Sequence, residues 1–205
     1  MRPVQLLRTE GVPVETLEEL ASRLARSLLT QVAIEPRSFS ASHAWDPVRR
    51  QLHSTLLLSS LAALAGHPCA TPLARGGLSG RPPSASILAV TERDLFVPVL
   101  TFVFGEAQVA GTAAVVSIFR LREEFYGLPP NPVLESERLF REALHELGHT
   151  FGLRHCDDWR CIMSPANSVE RIDARTHEFC PGCRRLLALF ARDHRHETHR
   201  KHGAA

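Results

Sequence analysis

His145-Glu146-Leu147-Gly148-His149-Thr150-Phe151-Gly152-Leu153-Arg154-His155-Cys156 carries the pattern H-E-x-x-H-x-x-G-x-x-H-C. On a helix, residues 145 and 149 lie one turn apart on the same face. Two neutral imidazoles at that spacing grip one zinc ion. Glu146 sits between them, flanking the metal without binding it, where its carboxylate can take a proton from the attacking water. Gly152 permits a sharp turn after the helix, since glycine tolerates positive φ. The turn returns His155 as third ligand. Three protein ligands leave one coordination position open, which marks a catalytic site and not a closed structural one. H-E-x-x-H alone arises by chance in unrelated helices; the added glycine and third histidine at fixed offsets make coincidence a poor account.

Four of the five cysteines follow as Cys156-x4-Cys161 and Cys180-x2-Cys183. Four thiolates suit a closed tetrahedral zinc that holds together a segment with little apolar core of its own. Two disulfides, or unrelated thiols, are the alternatives, and His177 could replace one cysteine. His155 and Cys156 are adjacent. In extended backbone they point to opposite sides, one toward each metal.

Working outward, the helix is expected from Ser136 to Phe151, with Leu139, Phe140, Ala143, Leu144, Leu147 and Phe151 as its apolar stripe. Before it, Val4–Arg8, Val32–Ile34, Ile87–Val90, Leu100–Phe104 (ended by Gly105) and Ala113–Ile118 read as strands, with Leu100–Phe104 central. Leu17, Leu20, Leu24 and Leu28 mark a helix from Glu15. A second helix is expected over about 48–65, and 41–47 and 71–84 read as loops. Small side chains over Thr112–Ser117 admit two readings: an ordinary sheet strand, or an edge that a peptide backbone can approach. The class is α/β or α+β.

The 205 residues suffice for one substantial core or two small lobes around a cleft. With 24 basic and 22 acidic residues the formal charge is +2, which argues against nucleic-acid binding as the main role. No apolar run approaches a membrane span, and the first ten residues are too short in apolar content for a signal peptide, so a cytoplasmic location is expected. Cys69 reads as a stray or buried thiol more readily than as a thiolate that caps a metal. After Arg184 an apolar stretch, Leu186–Phe190, precedes a basic tail with His194, His196, His199 and His202, expected to be solvated and disordered over 191–205.

At the histidine and cysteine runs together the chain resembles the archaemetzincins, a branch of the metzincin zinc peptidases. Phe102–Ala107 and Val115–Leu121 also look like the two strands that precede the zinc helix in that family. The resemblance implies a catalytic zinc on His145, His149 and His155, Glu146 as general base, and a structural zinc on Cys156, Cys161, Cys180 and Cys183. It implies that Met163 is the methionine of a turn packed beneath the catalytic metal. The implied fold has an upper lobe (1–152) with a mixed twisted sheet and a smaller zinc-stapled lower lobe (153–190). An extended substrate would lie along the upper edge strand, placed at Gly111–Ser117. Many metzincins carry a tyrosine shortly after the methionine; here Ser164-Pro165-Ala166 follows, and the single tyrosine is Tyr126. The expected activity is hydrolysis of peptide or protein substrates, aminopeptidase-type action being one form of it, by a chain monomeric by default. The competing expectation is a catalytically silent, zinc-stabilised peptide-binding module.

Overall fold

The computed structural model describes residues 1–65 and 85–202, with side chains through residue 192. Its main sheet has five strands in the order β2-β1-β5-β8-β7: β1 Val4–Thr9, β2 Val32–Phe39, β5 Ser86–Thr91, β7 Gly105–Ala107 and β8 Ala113–Ser117. Four are parallel; β7 alone is antiparallel and closes one edge. A second, three-stranded sheet joins β3 Trp45–Asp46, β4 Gln51–His53 and β6 Leu95–Phe96. The sheet is therefore mixed, as expected.

Alternation along the strands separates two cores. Leu6, Leu88, Val90, Ala114 and Val116 face α1 (Val14–Leu28) and α3 (Pro132–Thr150). Leu7, Ile87, Ala89, Ala113 and Val115 face α2 (Ser54–Leu64). The first core continues past α3 into Leu153, Ile162 and Met163, then Ile172 of α4 (Val169–Ala174) and Leu187 of α5 (Pro181–His202). The α5 backbone thus runs as helix beyond residue 190, over part of the stretch expected to be a disordered tail.

Several expectations are corrected. The stretch Leu100–Phe104 is not a central strand. Pro98 lacks an N–H, the Leu100 N–H turns back to the Val97 carbonyl at 3.0 Å, and only Val103 bridges to Leu95. Gly105 begins a strand instead of ending one. The second helix starts at Ser54, not 48, because Asp46 Oδ1 accepts the N–H groups of Val48 and Arg49 and a turn through left-handed Arg50 leads into β4. Ala113–Ser117 is not the edge: it is flanked by β5 and β7, and all five residues are buried. The edge is β7. Helix α3 starts at Pro132, four residues early, because Asn131 caps it by accepting the Leu134 N–H at 3.1 Å. Cys69 and the 71–84 loop lie outside the described residues. No helix among the described residues is long and apolar enough to cross a membrane.

Candidate metal centre and catalytic site

Helix α3 ends where its last carbonyls are captured. Gly152, at φ +82°, turns the chain; its N–H reaches the His149 carbonyl at 2.8 Å and the Leu153 N–H reaches that of Gly148 at 3.1 Å. Arg2 Nη2 donates to the Thr150 carbonyl at 2.5 Å and that of Gly111 at 2.6 Å, tying the helix end to the loop before β8. The turn brings His155 back to the pair, so that ligand nitrogens of His145, His149 and His155 all lie within 4.8 Å of one another.

Each helical imidazole is oriented from behind. The Nδ1–H of His145 donates to the Ile162 carbonyl and that of His149 to the Leu153 carbonyl, both at 2.8 Å. Those bonds fix the tautomer and leave Nε2 as a bare lone pair. The two Nε2 atoms stand 3.1 Å apart. Burial lowers the proton affinity of all three imidazoles, and the Arg175 guanidinium lowers it further. Lone pairs so close repel unless a cation joins them. Two nitrogens bound tetrahedrally to zinc lie about 3.4 Å apart, close to this separation. The donor set fits zinc.

Glu146, 4 % exposed, lies beside β7. Its side chain occupies the space above Gly105: a Cβ there would fall 2.7 Å from Glu146 Cγ and Oε1. Burial raises its carboxyl well above the ordinary range, the neighbouring carboxylate of Glu142 adds to this, and Arg175 opposes it. Beneath the histidine pair Met163 is fully buried, and a Cβ at Gly148 would meet its sulfur at 2.4 Å. The methionine therefore packs against the helix at Gly148.

The four cysteines form a second cluster and are free thiols. Cys156 and Cys180 have Sγ atoms 3.8 Å apart, as do Cys161 and Cys183. A disulfide would need about 2.05 Å. Four sulfurs on a tetrahedral zinc at about 2.3 Å would be separated by about 3.8 Å. Backbone N–H groups of Met163 and Cys180 point at Cys161 Sγ (3.5 and 3.3 Å). The Cys183 N–H helps bring the Cys180 thiol down to about 7, whereas burial pushes Cys156 and Cys183 up. Only a dication lets all four ionise together. His177 is not among them; it pairs with Glu137 at 2.6 Å.

Two residues of the site were not singled out from the sequence. Glu142 lies one turn before Glu146 on α3, a spacing that could have drawn notice. Arg175, which pairs with it at 2.7 Å, carries no local signal; it reaches the site only through tertiary folding.

Residues 83–189 match the model of peptidase family M54. The chain is 39 % identical to the archaemetzincin of Methanocaldococcus jannaschii over 145 residues, 71 % of this chain and 70 % of that protein. It is 33 % identical to the archaemetzincin of Archaeoglobus fulgidus over 173 residues, 84 % and 91 % of the two chains. Among solved structures it is similar to a zinc-dependent peptidase from Methanocorpusculum labreanum (TM-score 0.77, 29 % identity, 90 % of this chain and 99 % of that one). It is also similar to the archaemetzincin of Methanopyrus kandleri (TM-score 0.73, 32 % identity, 93 % and 96 %). Histidine cluster, cysteine cluster, fold and relatives agree: the chain belongs to peptidase family M54, the archaemetzincins, and is a zinc metallopeptidase.

Proposed function

We propose that His145, His149 and His155 hold the catalytic zinc, that Glu146 is the general base, and that the four cysteines hold a second, structural zinc. The observation that carries this is the pair of Nε2 atoms 3.1 Å apart, each imidazole backed by a carbonyl acceptor at Nδ1. When bound, zinc supplies Lewis-acid polarisation of the scissile carbonyl and makes water more acidic. Glu146 Oε takes a proton from the attacking water as the new C–O bond forms. It then delivers that proton to the amide nitrogen as the C–N bond breaks. The free edge of β7 offers backbone groups to an extended peptide beside Glu146. Ser54 and Thr55, at the start of α2, donate to Glu106 and fix that edge from the other face of the sheet. Aminopeptidase-type cleavage remains one form of this proposal; comparing peptides with free and acetylated amino termini tests it. A reducing cytoplasm, where thiolate ligands persist, is the setting proposed.

Glu146→Gln tests the base. The variant is expected to keep its zinc and lose hydrolysis by about 10²-fold or more. Near wild-type turnover would remove Glu146 from the role. A zinc-stabilised binding module would bind peptides with and without the substitution and cleave none.

A further inference from the structure

Arg175 is 2 % exposed and uses one nitrogen, Nη1, to hold Glu142 Oε2 at 2.7 Å. Its Nε and Nη2 are buried and have no hydrogen-bond partner among the described residues. These two N–H groups lie on one edge of the guanidinium and form a fork that matches a carboxylate. Among the described residues that same edge grips a single carboxylate with both nitrogens in two other places. Arg120 holds Asp94 through Nε and Nη2 at 2.8 and 2.7 Å, and Arg138 holds Asp173 through the same atoms at 2.9 and 2.7 Å. Of the two buried arginines among the described residues, Arg138 and Arg175, only Arg175 leaves both nitrogens of the fork without an acceptor, and buried donors without acceptors are costly.

The empty fork belongs to the catalytic neighbourhood. The charge of Arg175 is felt at His145, His149, His155 and Glu146. Its place along the cleft follows from the run of α3 past β7. Glu146 packs on Gly105, where β7 begins, and the His149 carbonyl accepts the Ala110 N–H just past where β7 ends. Helix and strand therefore advance together, and Glu142, one turn before Glu146, lies beyond the Gly105 end. A peptide added antiparallel to β7, the more stable pairing, has its C-terminal half on that side.

We propose that Arg175 is a specificity-determining residue whose Nε/Nη2 edge receives a carboxylate of the peptide on the leaving-amine side of the scissile bond. The inference rests on the peptidase reading and deepens it. The edge is closed to water in the free chain, so entry of the carboxylate includes a local side-chain shift. The carboxylate comes from an acidic side chain or from the peptide's own C-terminus.

The test uses zinc-loaded enzyme and peptides paired as Glu against Gln at each position, each with a free or an amidated C-terminus. Wild type is expected to favour the carboxylate form by about tenfold or more in kcat/KM at one position after the cleaved bond. Loss of the preference on Glu→Gln identifies a side chain as the source; loss on amidation identifies the C-terminus. Arg175→Met should bring the ratio to about one whatever its absolute rate, and Arg175→Lys, which keeps charge without the fork, should recover only part of it. Binding of uncut peptides to zinc-loaded Glu146→Gln, measured by calorimetry, should show the same preference and needs no change at Arg175. Equal cleavage and equal binding of all paired peptides by proteins bearing native Arg175 would overturn the proposal, as would a preference that survives in Arg175→Met. A carboxylate preference in binding with no cleavage by wild type would sink the peptidase reading and leave the fork's role standing.

Discussion

The Nδ1–H of His145 donates to the carbonyl of Ile162, and Ile162 stands between a cysteine of one cluster and the methionine under the other. Cys161 belongs to the thiol set, Met163 packs on Gly148, and the Met163 carbonyl accepts the N–H of Cys156 at 2.9 Å. His155 and Cys156 share a peptide bond. The two clusters are therefore braced by the same short segments.

Cys180→Ser should lower zinc content by one ion per chain and weaken the hold on the remaining one by about tenfold or more, the usual size of a lost outer support for a ligand. Elemental analysis and competitive chelation measure both. Unchanged affinity for the remaining ion, with full activity, would show that the clusters are independent.

Gly105→Ala addresses Glu146. The new methyl would also lie 2.8 Å from the Val115 carbonyl, so it cannot retreat into the sheet, and the carboxylate must move. Zinc content should stay at the wild-type level while kcat falls by about 10²-fold, the scale of an ångström-sized misplacement. Wild-type kcat would mean the carboxylate tolerates displacement.

Arg138 anchors the first half of α3. It is buried, grips Asp173 through two bonds, and reaches Glu123 at 2.6 Å and the Leu121 carbonyl at 2.9 Å. Arg138→Ala strands two carboxylates and should cost about 3–5 kcal/mol of folding stability. Urea denaturation of zinc-loaded protein would show the loss as a lower midpoint.

Thiol reactivity offers a pH readout. With Cys180 held to about 7, partly by the Cys183 N–H, its thiolate fraction rises as pH passes through that value. Cys156 and Cys183, raised by burial, stay protonated to higher pH. After chelation, alkylation between pH 6 and 8 should therefore mark Cys180 ahead of Cys156 and Cys183, read by peptide mapping, and added zinc should protect all four members of the cluster.

Metal chemistry was legible in the sequence because ligand spacing is local. His145 and His149 are fixed by helical pitch, and His155 by one glycine turn. The strands were legible where apolar alternation was clean, as in Val4–Arg8 and Ile87–Val90. Leu100–Phe104 misled because an apolar run can also be a turn packed on a core, and Pro98 outweighed its hydrophobicity. The edge was misplaced because the small residues of Ala113–Ser117 suit a crowded interior strand equally well, and position within a sheet is not written along the chain. Arg175 escaped notice for the same reason: its meaning depends on Glu142, 33 residues away.

The β7 border of the main sheet is only three residues long, from Gly105 to Ala107, and the docking proposed there bears on the state in which a substrate must arrive. Pairing with it requires a run of polypeptide whose own amides and carbonyls are unclaimed. Intact helices and paired strands cannot supply that without first coming apart, which draws on the stability of the protein that contains them. An enzyme that docks its substrate on β7 as proposed is thereby matched to frayed ends, loose loops and fragments already released by other cleavage, and would leave folded domains to their own cohesion.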